Sequence, residues 1–190
     1  FEVQPAYRKM GWHASDTHGL AFTGCRVPAD NLLGTRGRGF AQLLAILDDG
    51  RVAIAAMAVG VIKRCLDDSL AYAQERNAFG RAIGTYQAVA FQIADLQVAL
   101  EASQALVYRA AWLRDQGQPF KREAAVAKLY ATEAAVSATR TATQVFGGAG
   151  FMDDTAVARH YRDSKVLEIG EGTSEIQRLV ISRELGLAPQ

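Results

Sequence analysis

Residues 40–75 read FAQLLAILDDGRVAIAAMAVGVIKRCLDDSLAYAQE, a stretch without proline. Its apolar residues recur in alternating steps of four and three, the spacing that places side chains on one face of an α-helix. This face comprises Phe40, Leu44, Leu47, Arg51, Ile54, Ala58, Val61 and Cys65. The pattern predicts one long helix, in which Arg51 is the odd member of the apolar stripe.

Alanine stays frequent after this segment, and alanine is the strongest helix former. Four more helices are predicted, over about residues 85–116, 121–146, 156–164 and 175–185. Gly117 ends the first of these, and the glycines of segment 147–150 end the second, which has small residues at its inner positions. Before the last helix, Ser174 and Gln177 have the spacing of a capping box, and Gly186 stands where a C-terminal cap belongs.

The first 35 residues are instead rich in glycine, proline, threonine and aromatic residues, which predicts short strands and turns. The glycine-rich segment 34–39 is the hinge between the two compositions. We therefore predict a mainly α protein, an up-down four-helix bundle with a short β-strand segment at the N-terminus. The chain opens at Phe1 in mid-pattern, so we expect it to be part of a longer protein.

The composition argues against several classes of protein. The chain has 190 residues, 49% of them hydrophobic, and its 21 Lys and Arg against 20 Asp and Glu give a net charge of +1. A disordered chain would be less apolar, and a nucleic-acid-binding protein usually has a basic excess. Cys25 and Cys65 are expected to be reduced thiols, and no apolar run is long enough to span a bilayer. We expect a cytoplasmic protein that binds neither nucleic acid nor membrane.

Residues 169–175, IGEGTSE, form the main candidate site. Glu171 lies between two glycines, so a flat ligand has access to both its carboxylate and its backbone. Thr173 and Ser174 then begin a helix, whose free N–H groups favour anions such as phosphate. Composition alone favours a plain loop followed by a capped helix. The histidines lack Cys or acidic partners at ligand spacing, and no metal site is predicted.

Residues 171–178, EGTSEIQR, resemble the C-terminal signature of the acyl-CoA dehydrogenase family. Two further motifs are similar to those of the family, ERNAFG at residues 75–80 and QVFGGAGF at residues 144–151. Residues 9–34 are similar to the end of its middle β domain, so the likeness covers the whole chain in order. It implies that residues 1–36 are the C-terminal remnant of that β domain and that residues 37–190 form the C-terminal α-helical bundle domain.

In this family a carboxylate removes the α-proton of an acyl-CoA thioester while a hydride leaves the β-carbon for FAD. The resemblance implies that Glu171 is the catalytic base, with its backbone N–H as one donor to the thioester carbonyl. Some relatives place the base immediately before the arginine that matches Arg51, but this chain has Gly50 there, which cannot serve. The implied substrate contacts are Asp48, Arg51 and Gly172.

The same resemblance implies a bound FAD that is shared between two subunits. The implied cofactor contacts are Arg76, Phe79, Tyr86, Gln87, Gln144, Gly147, Gly148, Thr173, Ser174 and Glu175. Arg76 is expected to reach the FAD pyrophosphate across a dimer interface, and we expect a homodimer or a homotetramer. The expected electron acceptor is an electron-transfer flavoprotein, and the expected location becomes the mitochondrial matrix if the source is eukaryotic.

Three alternatives fit the sequence less well. An acyl-CoA oxidase would use the same base and reoxidise its flavin with O₂. A non-catalytic, DNA-associated relative would need a basic face, which the net charge of +1 argues against. A plain helical interaction module would have no reason to keep Glu171, Arg76 and Gln144 in signature order. Gly170 stands where many medium- and short-chain members have an aromatic residue, so this motif predicts no acyl length.

Overall fold

The computed structural model describes residues 1–188. Its helices are α1 (Gly39–Glu75), α2 (Gln87–Asp115), α3 (Lys121–Phe146), α4 (Ala156–Ile169) and α5 (Ser174–Glu184). Helices α1 to α4 form an up-down bundle, and an antiparallel hairpin of β1 (Glu2–Ala6) and β2 (His18–Ala21) precedes it. The predicted fold class is confirmed. Within the described residues, no helix is both long enough and apolar enough to cross a membrane.

Helix α3 occupies the centre of the bundle, where it contacts α1, α2, α4 and α5. Its inner face is lined by alanines with almost no exposed surface, namely Ala124, Ala127, Ala131, Ala135, Ala138 and Ala142. Because each of these side chains is a single methyl group, the neighbouring helices approach closely. Ile62 of α1 and Leu100 of α2 fill the remaining space in the core. The predicted small-residue inner face of this helix is confirmed.

The predicted apolar face of α1 is buried only in its second half. From Arg51 onwards the inward side chains are buried, whereas Phe40 and Leu44 keep 76% and 48% of their surface exposed. The last turn of α2 reaches only as far as Asp49, which pairs with Arg114. The first turns of α1 therefore extend beyond the helix that covers the rest, and the apolar stripe is exposed to solvent there.

Helix α4 runs to Ile169, five residues beyond the predicted end at residue 164. It continues because Ser164 and Leu167 both face the core and are 1% exposed. The Ser164 hydroxyl lies 3.1 Å from the hydroxyl of Thr139 on α3. The same helix carries Asp163, whose Oδ1 accepts a hydrogen bond from the Trp12 N–H at 2.6 Å. This contact attaches the N-terminal segment to the bundle.

The two ends of α5 differ in how well they were predicted. Thr173, rather than Ser174, is the N-cap, and its Oγ1 accepts a hydrogen bond from the Ile176 N–H at 3.5 Å. The predicted capping box is therefore wrong, because the cap lies one residue earlier and the Gln177 side chain bonds elsewhere. At the other end Gly186 has a φ of 85° and completes the predicted C-terminal cap.

Candidate active site

The segment that joins α4 to α5, residues 170–173, turns sharply around Glu171. The φ of Glu171 is 55° and that of Gly172 is 94°, so two successive residues have left-handed backbone conformations. Glycine tolerates such a φ, whereas a residue with a Cβ loses about 1–2 kcal/mol in it. Left-handed non-glycine residues cluster at functional sites, where the surrounding structure holds them in place.

Two buried donors lie beneath this turn. Lys128 of α3 is fully buried, and its Nζ donates to the carbonyl oxygens of Glu168 at 3.0 Å and Gly172 at 2.8 Å. Gln177 of α5 is also fully buried, and its Nε2 donates to the carbonyl oxygens of Glu171 at 3.1 Å and Gly172 at 2.9 Å. Among residues 1–188 the Glu171 N–H has no backbone acceptor. The turn therefore directs its carbonyls to the interior and leaves one N–H available to a ligand.

The side chain of Glu171 extends to α1, where its carboxylate lies over Gly50. A Cβ added to Gly50 would collide with Glu171 Oε2 and would lie 2.7 Å from the carboxyl carbon. Even alanine at position 50 would therefore displace the carboxylate. The absence of a side chain at Gly50 provides the space that the Glu171 carboxylate occupies.

Arg51 and Asp48, the predicted substrate contacts on α1, form an ion pair one helical turn apart. Burial raises the pKa of Asp48, and the Arg51 guanidinium opposes that shift. Arg51 is 5% exposed, and its Nε makes no hydrogen bond to any of residues 1–188. Because a buried N–H without an acceptor is costly, this donor suits a ligand at the same end of the bundle as Gly172, the third predicted substrate contact.

The N-terminus of α5 holds three predicted cofactor contacts. Thr173 is half-buried, Glu175 is exposed and Ser174 is 8% exposed. Hydrogen bonds from the Glu175 N–H and from the Thr173 hydroxyl lower the pKa of Glu175. Within the described part of the chain, the buried Ser174 Oγ makes no hydrogen bond. Such orphaned buried hydroxyls are uncommon, and this one fits a polar ligand group beside the free N–H groups of the first helical turn.

A second group of predicted cofactor residues follows α1. Here strands β3 (Asn77–Ala78) and β4 (Arg81–Ala82) form a short antiparallel hairpin. Phe79 and Gly80 connect the strands with φ values of 51° and 83°, as a type I′ turn requires. This turn projects Phe79 into solvent, where 96% of its surface is exposed.

Tyr86 attaches this hairpin to the start of α2. Its hydroxyl donates to the carbonyl oxygen of Ala78 at 3.0 Å, and the Arg81 guanidinium lies 4.1 Å from the centre of its ring. Arg76 and Gln87, on either side of the hairpin, are exposed. The hairpin is therefore held against the bundle while its predicted cofactor contacts face outward.

The end of α3 lies at the same end of the bundle as the hairpin, because Tyr72 of α1 stacks on Phe146 of α3 with ring centres 4.1 Å apart. The predicted contacts Gln144, Gly147 and Gly148 are exposed there. Gln144 and Gly147 line an open groove of about 890 Å³. The other residues that line the groove include Phe151, Asp153, Tyr161 and Arg162.

The predicted site residues therefore form two groups towards opposite ends of the bundle. Gly50, beneath the Glu171 carboxylate, and Glu75, next to the hairpin, are 25 residues apart on α1, which corresponds to about 38 Å. The hairpin contacts therefore lie far along the bundle from the Glu171 turn, whereas Gln144 is 16 residues, or about 24 Å, along α3 from Lys128 beneath the turn.

The ordered motifs and the Glu171 turn agree with a comparison against known families. The model described as acyl-CoA dehydrogenase, C-terminal domain, matches residues 37–186. The chain belongs to the acyl-CoA dehydrogenase family. The resemblance inferred from the sequence motifs is confirmed.

Acyl-CoA dehydrogenases from bacteria and mammals are similar to this chain over nearly all its length. The probable acyl-CoA dehydrogenase YngJ of Bacillus subtilis is 50% identical over 96% of this chain and 48% of its own. The mitochondrial short-chain specific acyl-CoA dehydrogenase of Bos taurus is 46% identical over 93% of this chain and 43% of its own. The structure of butyryl-CoA dehydrogenase from Megasphaera elsdenii has a TM-score of 0.95 and 39% identity, over 98% of this chain and 49% of its own. The chain spans about half the length of these relatives.

Structural neighbours of this acyl-CoA dehydrogenase family member include flavoproteins. A structure of PigA with FAD and proline has a TM-score of 0.93 and 32% identity, over 98% of this chain and 49% of its own. A structure of the electron transferring flavoprotein of Acidaminococcus fermentans has a TM-score of 0.95 and 41% identity, over 97% of this chain and 48% of the matched chain.

The sequence prediction for this acyl-CoA dehydrogenase family member omits Lys128 and misassigns Gln177. Lys128 lies four residues after Ala124 and three before Ala131, so a charged residue falls within the stripe of small inner residues. That is the same signal that marks Arg51 on α1, and it identifies Lys128 as an unusual buried charge. Nothing in the local pattern around Gln177 indicates that its amide reaches back to the Glu171 turn.

Proposed function

We propose that this chain is the C-terminal half of an FAD-dependent acyl-CoA dehydrogenase, in which Glu171 removes the α-proton of an acyl-CoA thioester. The observation that carries the proposal is the position of the Glu171 carboxylate over Gly50, on a left-handed turn whose carbonyls accept hydrogen bonds from buried donors. In this proposal residues 1–36 are the end of the middle β domain and residues 37–190 are the helical domain.

Proton abstraction next to a thioester requires a base at the α-carbon and a donor for the charge that develops on the carbonyl oxygen. The Glu171 carboxylate is the base, and it holds the proton after the transfer. The Glu171 N–H, which has no backbone acceptor within residues 1–188, is one donor to the thioester oxygen. Because both groups belong to one residue, the backbone turn sets their relative position. Gly172 keeps side-chain bulk away from the thioester.

We assign Arg51 and Asp48 to the CoA part of the substrate. The support is the buried Nε of Arg51, for which residues 1–188 provide no acceptor. A carbonyl oxygen of the CoA arm would satisfy this donor, since an acceptor is what a buried guanidinium N–H lacks here. Asp48 holds the guanidinium through the ion pair described above.

The residues present fit FAD in two places. FAD, when bound, supplies the acceptor for the hydride that leaves the substrate β-carbon. Thr173, Ser174 and Glu175 would hold it at the base end, where the Ser174 hydroxyl is buried without a partner in the described chain. The second set would hold the nucleotide end of the FAD of another copy: Arg76, Phe79, Tyr86, Gln87, Gln144, Gly147 and Gly148. An exposed guanidinium such as that of Arg76 matches a pyrophosphate geometrically.

The support for a cofactor shared between copies, and hence for a homodimer or a homotetramer, is that Arg76, Phe79 and Gln87 are exposed at the end of the bundle away from the Glu171 turn. The electron transferring flavoprotein structure among the neighbours supports an electron-transfer flavoprotein as the electron acceptor. The named relatives favour a short acyl chain, since the bovine enzyme is short-chain specific and the Megasphaera enzyme acts on butyryl-CoA. A cytoplasmic or mitochondrial-matrix location stays a prediction.

The test is anaerobic mixing of the complete flavoprotein that carries this chain with a panel of acyl-CoA thioesters. We expect bleaching of the oxidised flavin, fastest with butyryl-CoA, and a loss of rate of about 10⁴-fold in the Glu171→Gln variant at unchanged FAD content. Bleaching at the wild-type rate in Glu171→Gln would remove Glu171 from its role. Stoichiometric peroxide formation in air would instead indicate an acyl-CoA oxidase.

A further inference from the structure

Glu171 has an unfavourable left-handed backbone conformation, so neighbouring contacts must stabilise it. At a φ of 55° its Cβ crowds the backbone, and such a residue persists only when the surrounding structure over-determines it. The turn lies at the surface end of two helices, where backbone carbonyls could equally bond to water. Instead, the carbonyl oxygens before, at and after the base are bonded to interior side chains.

Lys128 makes the two hydrogen bonds that enclose the base. Its Nζ donates to Glu168 O, in the last turn of α4, and to Gly172 O, immediately after Glu171. The ammonium group therefore fixes the distance between the two ends of the turn. Gln177 bonds only to the second half of the turn, so it does not replace the connection to α4.

Burying a charged donor to make such a connection costs desolvation free energy. Lys128 is 0% exposed, and burial lowers its pKa to about 8. The charged groups that act on it are Glu168 of α4, Arg51 of α1, Glu171 of the turn and Glu133 of α3 itself. None of these carboxylates makes a salt bridge with Lys128 within the described residues. A neutral amide would tie two carbonyls together at lower cost, as Gln177 does.

We infer that Lys128 is a positioning residue for the catalytic base: its buried ammonium group clamps the carbonyls of Glu168 and Gly172 and so holds Glu171 in the left-handed turn that places the carboxylate over Gly50. The inference rests on the proposed function of Glu171. Without this clamp the turn relaxes towards an ordinary φ, and the carboxylate and the N–H of Glu171 move away from their common target. A displacement of about 1 Å in a reacting group can cost about 100-fold in rate.

The test compares Lys128→Met with the wild-type flavoprotein by anaerobic stopped flow at saturating acyl-CoA. Met keeps the length of the side chain and removes the three N–H donors. We expect the limiting rate of flavin reduction to fall about 100-fold. The amplitude of bleaching, the FAD content and the Kd of acyl-CoA should stay within about threefold of the wild type, because the binding contacts are elsewhere. A variant that merely misfolds loses amplitude rather than rate.

Thr139→Val is the matched control. Thr139 is also fully buried on α3, and its hydroxyl contacts Ser164 on α4, six residues before the turn begins at Gly170. Removal of this contact between the same two helices should leave the limiting rate within about twofold of the wild type. An equal loss of rate in both variants would show that any buried contact between α3 and α4 matters, and would overturn the inference.

A second variant covers the case in which Met is not tolerated. Lys128→Gln keeps a polar group that can donate to one carbonyl, and we expect a limiting rate between those of the wild type and Lys128→Met. Loss of FAD or of folded protein in both variants would assign Lys128 to the stability of the fold and overturn the inference. Wild-type rates in both variants would also overturn it. If the wild type itself fails to bleach with any acyl-CoA, the proposed function fails instead.

Discussion

The Glu171 turn and the β3–β4 hairpin both present residues of the proposed active site, but the chain supports them in opposite ways. At the turn, Lys128 and Gln177 are fully buried, and three backbone carbonyls are bonded to their side chains. At the hairpin, Phe79 is 96% exposed and Arg76 has no covering element in the described residues. In the proposed function, the position of the base is set within this chain, whereas the exposed hairpin contacts require a second surface to complete their site.

This difference separates two kinds of residue in the proposed active site. A base must be placed to within a fraction of an ångström, so the fold supplies rigid buried support and a strained backbone for it. Contacts to a phosphate or an adenine ring tolerate adjustment by long exposed side chains. Substitutions beneath the turn should therefore change the rate of chemistry, and substitutions at the hairpin should change cofactor affinity.

Gly50→Ala should displace the Glu171 carboxylate directly. The added methyl group would meet the Glu171 carboxylate, whose carboxyl carbon lies 2.7 Å from that position. We expect the limiting rate of anaerobic flavin reduction to fall about 100-fold, with FAD content unchanged.

Gly60→Ala is the control for this substitution, since it lies on the same helix and an added Cβ there has no neighbour within 4 Å. Its rate should match the wild type, and α1 should be slightly more stable because alanine favours helix by about 1 kcal/mol over glycine. Equal rates for Gly50→Ala and the wild type would mean that the carboxylate is not held against α1.

Sequence patterns predicted the bundle well because its inner stripes repeat at helical spacing. The alanines of α3 and the glycine after α5 follow local rules, and the structure agrees with them. The failures have a common cause. Ser174 has good capping chemistry, yet Thr173 is the cap, and the Gln177 side chain donates to carbonyls of the turn rather than to the start of the helix. Tertiary contacts of this kind leave no local periodicity.

The sequence predicted only part of the candidate site: it identified Glu171 but not the supporting roles of Gly50 and Lys128. The glycines around Glu171 marked an accessible carboxylate, and the family motifs assigned it a role. The role of Gly50 as space for that carboxylate depends on the packing of α1 against the α4–α5 turn, which residues 121 positions apart in the sequence do not reveal. Lys128 was visible as a charge in an apolar stripe, but its acceptors are backbone carbonyls, which carry no sequence signal.

Arg76→Ala tests the hairpin region, where we expect a loss of FAD affinity. Loss of one charge-assisted hydrogen bond of about 1.5–3 kcal/mol corresponds to a Kd for FAD in the assembled flavoprotein that is weaker by about 10- to 150-fold, measured by flavin fluorescence during titration of the apoprotein. At saturating FAD the limiting rate should stay within about threefold of the wild type.

Lys63→Ala serves as the control for Arg76→Ala, because it removes another exposed cation, one that pairs with Asp67 on α1. Its FAD affinity should be unchanged, since exposed ion pairs contribute little. A large loss of rate in FAD-saturated Arg76→Ala would show that the hairpin also affects the rate of flavin reduction. It would contradict the distinction between the two regions.

The smallest expected effect concerns the core between the two ends. Burial, with a further contribution from Asp68, raises the pKa of the Cys65 thiol to about 12, whereas Cys25 is exposed. Because the thiolate is the reactive form and only about 10⁻⁴ of Cys65 is thiolate at pH 8, Cys65 should react far more slowly than Cys25, and its rate should rise about tenfold with each pH unit up to 12. Mass spectrometry after iodoacetamide treatment of the 190-residue chain should show one modified thiol.

Denaturant supplies the control for the alkylation experiment, since both thiols should then react at similar rates. Prompt modification of Cys65 in the absence of denaturant would show that the core of the bundle opens between the turn and the hairpin. The two regions would then not be joined by a closed core.

The most direct test of the central claim is to move the base from Glu171 to position 50. The Glu171 carboxylate occupies the space above Gly50, so a glutamate introduced there should put its carboxylate in nearly the same place once Glu171 is removed. We predict that Glu171→Gly abolishes anaerobic flavin bleaching by acyl-CoA and that Glu171→Gly combined with Gly50→Glu recovers at least about 100-fold over the single variant. A double variant that binds FAD and acyl-CoA but reacts as slowly as Glu171→Gly would contradict the account.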